Sequence, residues 1–376
     1  MMFRRTHARR GWIGACLALS LSGCGPHTSI PELAPGYALI GTDAKEQREL
    51  RADAAAYLEE MRHDGYALYR ANAIEALQAD PMMGEVAARE GIEDPNLAVR
   101  FVSAMAIGQH QYAAAAPLVH ALLNDDSPSV RAAAAFALSR NGFEVDLGLL
   151  AEMLRGDDPR AAGNAALVLG ELGNPSALPL LRASIEFRSP RVSTQQQRIV
   201  QLQIAESMAK LGDPFAIPRI RAELYSRQPE HGEVMALAAS MLGTLHATQT
   251  IGDLRNIVAM WKQYRHSAEV RLAALTSLAQ LAETQPIDLV LEYLGPSYRD
   301  RTNSSFIAIQ SQAAHALGEY PPHEALPQLA RVFDSSVEPL IRLQAAASIL
   351  RLTPDLEPGP SGTETGEGRL TPDDLQ

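Results

Sequence analysis

The chain has 376 residues, 33 Lys+Arg against 44 Asp+Glu, a formal charge of -11, and only 5% aromatic residues. Sixty residues are alanine, the best helix former and one depleted in strands, which excludes a β-rich fold; an apolar content of 46% excludes a wholly disordered chain. Two cysteines exclude a disulfide scaffold or a cysteine-zinc site, and the acidic balance speaks against nucleic acid as a partner, since non-specific binding needs a basic surface.

Arg4, Arg5, Arg9 and Arg10 precede a mostly apolar stretch from Gly11 to Leu21. That stretch is shorter than the ~20 residues needed to span a bilayer, but it suits a signal-peptide core. Leu21-Ser22-Gly23-Cys24 follows. It resembles the lipobox of bacterial lipoproteins. The resemblance implies that residues 1–23 are a signal peptide, that cleavage follows Gly23, and that Cys24 is lipidated. Cys16 would leave with the signal, so no disulfide could form. The signal removes four arginines and no acids, leaving 29 Lys+Arg against 44 Asp+Glu, a net of -15. An acyl chain, not a basic patch, would hold such a protein at a membrane. Gly25 stands where an aspartate often marks inner-membrane retention in those lipoproteins. The expected address is therefore the bacterial cell envelope, at the outer membrane and facing the periplasm.

Residues 24–42 are rich in Gly and Pro (Pro26, Pro31, Pro35, Gly36, Gly41) and read as a tether. Asp43 with Glu46 three residues on marks a helix start. The helix carries Leu50, Ala54, Tyr57, Leu58 and Met61 at helical spacing. Residues 43–65 are expected to cap one end of an array.

From about residue 66 to 353 the chain repeats. One unit runs from Asp94-Pro95 through Val99-Arg100 to Gly108, another from Ser127-Pro128 through Val130-Arg131 to Leu138. With Gly108 as register mark, the equivalents are Ser139, Gly170, Ala209, Gly243, Ala279, Gly318 and Leu350, spaced 31 to 39 residues apart. A weaker unit ends at Leu77-Gln78. Seven residues after four of the marks comes Ala-x-Pro, ending at Pro117, Pro179, Pro218 and Pro327. Proline suits a first helical turn, where its missing N–H costs nothing. Each unit is thus two helices. Periods of this length signal a helical solenoid, in which stacking buries faces that one unit cannot bury alone.

These units resemble HEAT repeats, in particular the short type also found in phycobilisome lyases. The resemblance implies an all-α, right-handed helical-hairpin solenoid of about eight to nine repeats. It is nearly silent on function. Residues 354–376 hold Pro, Gly, Thr and acids and read as a disordered tail.

No metalloprotease, nucleophile-elbow or phosphate-loop pattern occurs. The single His-Glu pair, His323-Glu324, cannot build the multi-pair metal site of the HEAT-repeat di-iron hydroxylases. No cofactor, metal or catalytic residue is expected. Arg100, Arg131, Arg271 and Arg342 recur at one place in the repeat. In the repeats they resemble, this Arg pairs with acids or carbonyls between units; a partner-binding ladder is the alternative. Positions seven and three before the mark usually face the concave side of such repeats. Here they include Phe101 and Leu202, and Met105, Phe136 and Leu167, apolar where charge would be usual. An exposed patch of that kind would bind the apolar face of a partner helix; curvature that turns it into the core is the alternative. The function expected is a non-enzymatic scaffold that binds a protein or peptide in the solenoid groove, with basic partners suggested by the charge. A structural subunit of an envelope assembly or secretion complex is the second reading, and a lyase-type enzyme a remote one.

Overall fold

The computed structural model describes residues 37, 40–190, 192–226, 231–263, 266–295 and 304–354. The expected signal peptide, Cys24, most of the expected tether and nearly all of the expected tail lie outside them. Among the described residues there is no strand, and no helix is long and apolar enough to cross a membrane.

The helices start where the sequence supplies caps. Asp43 accepts from the Lys45 amide before α1 (Ala44–Met61), and Asp80 from those of Met82 and Met83 before α3 (Pro81–Gly91). Asn96 serves α4 (Leu97–His110) and Asp158 serves α7 (Pro159–Leu172) in the same way. Each such bond satisfies an amide that the helix itself leaves unpaired. Proline opens α3, α5 (Pro128–Arg140), α7 and α17 (Pro339–Leu352). The Ala-x-Pro signal marks different local structures. It opens a 3-10 segment at Ala116–Asn124, but Pro327 lies inside α16 (Pro322–Ser335). There Pro321-Pro322 starts the helix five residues earlier, and Pro327 falls beyond the first turn.

The remaining helices are α2 (Ala67–Leu77), α6 (Gly148–Arg155), α8 (Leu178–Ser184), α9 (Thr194–Lys210), α10 (Ala216–Ala222), α11 (Gly232–Thr244), α12 (Ile251–Met260), α13 (Ala268–Gln280), α14 (Asp288–Leu291) and α15 (Ser304–Leu317). They form two layers. The inner layer is α2, α4, α5, α7, α9, α11, α13, α15 and α17, each packed on the next. The outer layer holds the intervening elements. Ile107, Leu138, Leu242, Leu278, Leu317 and Ile349, one residue before their marks, are wholly buried between the layers.

Adjacent inner helices come very close at the register mark. A Cβ on Gly108 would lie 2.9 Å from the Ala137 backbone, and one on Gly318 2.8 Å from Ser348 Oγ. Small residues at both sides of the contact permit that approach. Two buried serines then tie neighbours together. Ser277 Oγ donates to the Ala239 carbonyl at 2.8 Å, and Ser348 Oγ to the Ala314 carbonyl at 3.0 Å. Both serines sit two residues before their marks and both carbonyls four before theirs, so all inner helices run in one direction and in register.

The array closes on itself. The last inner helix, α17, packs against the first one, α2, and α1 lies over the junction. Arg51 of α1 donates to the Leu350 carbonyl (3.1 Å) and to Asp80 (2.9 Å), touching both ends of the chain at once. Tyr57 donates to the Pro339 carbonyl at 3.4 Å and meets Phe333 edge-on at 5.7 Å between ring centroids. The Arg342 guanidinium lies 4.3 Å from the Tyr57 ring centre. Leu50, Ala54, Leu58 and Met61 share a hydrophobic cluster with Ile349 and Leu350. Helix α1 is therefore the outer helix of a ninth hairpin whose inner helix is α17, and the described helices form a ring. If the junction carries load, Arg51→Ala should lower unfolding free energy by ~1–3 kcal/mol, because it strips two partly buried acceptors of a charged donor. Urea denaturation measures this; a change below about 0.5 kcal/mol would mean that the ends do not hold each other.

Candidate functional site

The recurring arginines are joints between units. Arg70 pairs with Asp94 (2.7 Å) and donates to the carbonyls of Asp64 and Gly65. Arg100 repeats the motif with Asp125 (2.7 Å) and the carbonyls of Asp94 and Pro95. Arg131 donates to the carbonyls of Asp125 and Asp126. Each aspartate thus takes one arginine on its side chain and the next on its backbone. Burial works against charge on Asp94 and Asp125, but the arginine and backbone donors outweigh it and hold both carboxyls below their usual range. Arg271 bonds Glu292 and Tyr293 (2.9 and 3.0 Å) and stacks on Trp261. Arg342 stacks between Tyr57 and Phe333 at the closure. Arg70 is a rung with tyrosine in place of the usual valine before it; its distance of 30 residues from Arg100 is the signal that marks it.

The apolar row is not left open. Met105 and Phe136 are each 1% exposed, Leu202 3% and Phe101 9%, while Leu167 is half-buried. The expectation of an exposed patch at these five residues is corrected on that point. Phe136 shows the cause. Its ring stands 2.5 Å from where a Cβ on Gly108 would be. The side chain leans into the notch that the glycine leaves on the preceding helix, so it belongs to the joint between helices. Four of the residues are members of the two main hydrophobic clusters, and Leu167 packs against one of them.

A different column faces the ring interior. Residues one before the mark point at the outer layer; two residues on, a helix has turned by about 200°, so those one after the mark point the other way. That column reads Gln109, Arg140, Glu171, Lys210, Thr244, Gln280, Glu319 and Arg351, all partly exposed. Position three before the mark joins it as Glu75, Glu206, Ser240 and His315, and position six before adds Asn164, Gln203, Gln312 and Gln344. On α7 and α9 the charges pair: Lys210 Nζ lies 2.9 Å from both Glu171 and Glu206. Burial works against the ammonium, but the two carboxylates outweigh it and raise its pKa.

The second group spans α13, α15, α17 and α2, across the ring closure. Arg351 donates to Ser348 Oγ at 3.1 Å and makes longer contacts, 3.4 Å each, with His315 Nδ1 and the His315 carbonyl. Gln344 reaches the same Nδ1 at 3.3 Å. Nδ1 must therefore accept, and the proton sits on His315 Nε2, which has no partner, as Arg351 Nε has none. Burial, with a smaller push from Arg351, lowers the His315 pKa to about 3. Burial lifts the Glu75 carboxyl to about 7, against the pull of Arg351, and lifts Glu319 too. Among the described residues no three His, Cys, Asp or Glu are placed to hold a metal ion. His323 and Glu324 sit on the surface as one pair, 3.6 Å apart.

These two shifts oppose each other in stability. Glu75 binds its proton more tightly when folded, so its contribution is full below about pH 4.5 and fades as pH rises through 7. His315 resists protonation when folded, so its contribution is full above about pH 6.5 and is lost on acidification toward 3. Between pH 4.5 and 6.5 the two slopes cancel. Glu75→Gln should make stability rise with pH across that window by about 2 kcal/mol, and His315→Asn should make it fall by a similar amount. Urea midpoints at pH 4.5, 5.5 and 6.5 read both; unchanged slopes in either variant would refute the assigned protonation states.

Comparison with known protein families matches HEAT repeats over residues 86–162 and 262–350. The PBS lyase HEAT-like repeat matches over residues 161–187. No curated protein gives a significant match. The two matches span about half the chain and fall on the inner and outer helices described above. The chain is a HEAT-repeat protein.

Proposed function

We propose that this protein is a non-enzymatic interaction scaffold, lipid-anchored through Cys24 at the periplasmic face of the outer membrane of a bacterium, which holds a segment of a partner protein inside its ring. The repeats suggest an interaction scaffold. The observation that carries the finer reading is the run of polar residues on the inner face, several of which also bond to the neighbouring helix, as Gln312 does to the Glu269 carbonyl and Lys210 to Glu171. Side-chain amides carry a donor and an acceptor, the pair that a peptide backbone presents; Gln109 and Gln203 stand on this face, as do Gln280, Gln312 and Gln344, which each also bond to a neighbouring helix. Charges at Lys210, Glu171 and Glu206 add sites for polar side chains. Nine inner helices packed 8–10 Å apart would enclose a passage on the order of 10–15 Å, wide enough for one strand or helix. The lipobox-like run at Leu21–Cys24 supports the anchor.

The test is crosslinking in intact cells followed by recovery of the anchored protein and mass spectrometry. Ser240→Trp with Thr244→Trp places two large rings in the interior, one turn apart on α11. Phe215→Glu changes an outer residue that is 76% exposed. A partner captured by the native protein and by Phe215→Glu, but at least tenfold less by the folded interior variant, is the expected outcome. Equal capture by all three would remove the interior as the site. Cys24→Ser should move the protein from the membrane fraction to the soluble fraction; retention at the membrane would end the anchoring reading.

A further inference from the structure

The ring has two mouths, and exposed apolar residues are gathered on three adjacent inner helices at one of them, whereas Met82 and Phe215 stand singly at the other. All inner helices begin at the former mouth. Three neighbours, α17, α2 and α4, bring exposed apolar residues to that rim. Val337 precedes α17 and is 88% exposed; Tyr66 and Leu68 at the start of α2 are 71% and 50% exposed; Leu97 opens α4 at 39%. Tyr66 and Tyr69 rings stand 5.5 Å apart, and α17 packs on α2 in the same direction, which sets the residues before α17 beside the start of α2. Nothing in the packing of the ring requires Val337 or Tyr66 to be apolar.

Helix α1, an outer helix, starts at the opposite mouth, but the chain before it touches the ring near this rim. Tyr37 donates to Asp334 at 3.0 Å, three residues before Val337. Twelve residues lie between Cys24 and Tyr37, so their Cα atoms can be no more than about 45 Å apart. If Cys24 is acylated, this rim is held within that reach of the bilayer, at an effective concentration on the order of millimolar. Weak apolar contacts are then enough for docking. Tyrosine suits the headgroup level, with its ring in the apolar zone and its hydroxyl in water.

We propose that the Tyr66, Leu68, Leu97 and Val337 rim docks on the lipid bilayer, so that the ring axis stands across the membrane plane and the opposite mouth opens to the periplasm. This rests on the anchoring reading above. Asp64, Asp334 and Glu338 flank the rim, so anionic lipid should weaken the contact and neutral lipid favour it.

The acylated full chain would be reconstituted in phosphatidylethanolamine-rich vesicles carrying nitroxide-labelled lipid. Cys16 and Cys24 are the two cysteines of the chain, so Val337→Cys and Tyr66→Cys can each carry a single fluorophore. Met82→Cys and Phe215→Cys, 77% and 76% exposed but away from this rim, serve as comparison sites. Quenching at Val337 and Tyr66 at least threefold above the comparison sites is expected, falling when phosphatidylglycerol replaces the neutral lipid. Equal quenching at all four sites, or stronger quenching at Met82 or Phe215, overturns the docking. Adding Leu97→Glu should cut quenching at Val337 at least twofold, while circular dichroism stays native; no change overturns it as well. The mass of the purified protein reports acylation separately. Should Cys24 prove unmodified, the anchoring reading fails, and the same quenching criterion is applied with the chain held by an N-terminal histidine tag on nickel-chelating lipid.

Discussion

The closure of the array is the contact on which the rest of the structure depends. Each inner helix is covered by outer helices on its far side. Helix α17 has no successor within the described chain to do this, and α1 has no inner helix before it. The two deficits match. Arg51, Tyr57 and Arg342 join them with one charged hydrogen-bond donor, one edge-on aromatic pair and one stacked guanidinium. An apolar stripe on α1 and another on α17, each unfit for water, become one core. Once the ends meet, the face opposite the outer layer surrounds a passage instead of lining an open groove. That brings the side chains one residue after each register mark onto one continuous inner face.

Much of this was legible residue by residue. The marks from Gly108 to Leu350 locate every inner helix but the first, and the arginine rungs follow from recurrence of one residue type at one offset. The polar column from Gln109 to Arg351 stands in the sequence as plainly, because eight consecutive units keep a hydrophilic or charged residue at that place. Phe101, Met105, Phe136, Leu167 and Leu202 were harder. Their offset from the mark puts them on the edge between the interior and the neighbouring helix. Which side wins depends on whether that neighbour offers a gap, as Gly108 does for Phe136. A single helix wheel does not contain that information.

The ring itself leaves a subtler trace. Its curvature is the sum of small rotations between units, none visible in a local pattern. What does show is arithmetic: one unpaired helix at the start, Ala44–Met61, and one unpaired inner helix at the end, Pro339–Leu352. Two odd pieces of complementary type argue for a join, whereas a capping role for α1 would leave α17 bare. The His315, Arg351 and Glu75 group lies at that join, and its protonation pattern reflects the crowding of three helices drawn from opposite ends of the chain.

Closure also changes how such a repeat protein can come apart. An open solenoid behaves nearly as a one-dimensional chain of neighbours and can fray from either end, one unit at a time. Here no unit is terminal. Releasing any hairpin means breaking an interface on both of its sides, so the first step of unfolding is also the most expensive. Backbone amides in the first and last hairpins, normally the least protected from hydrogen exchange, would share the protection of the middle of the ring. The first and last described hairpins cease to be weak points, and a pull applied at either must break two interfaces before anything peels away.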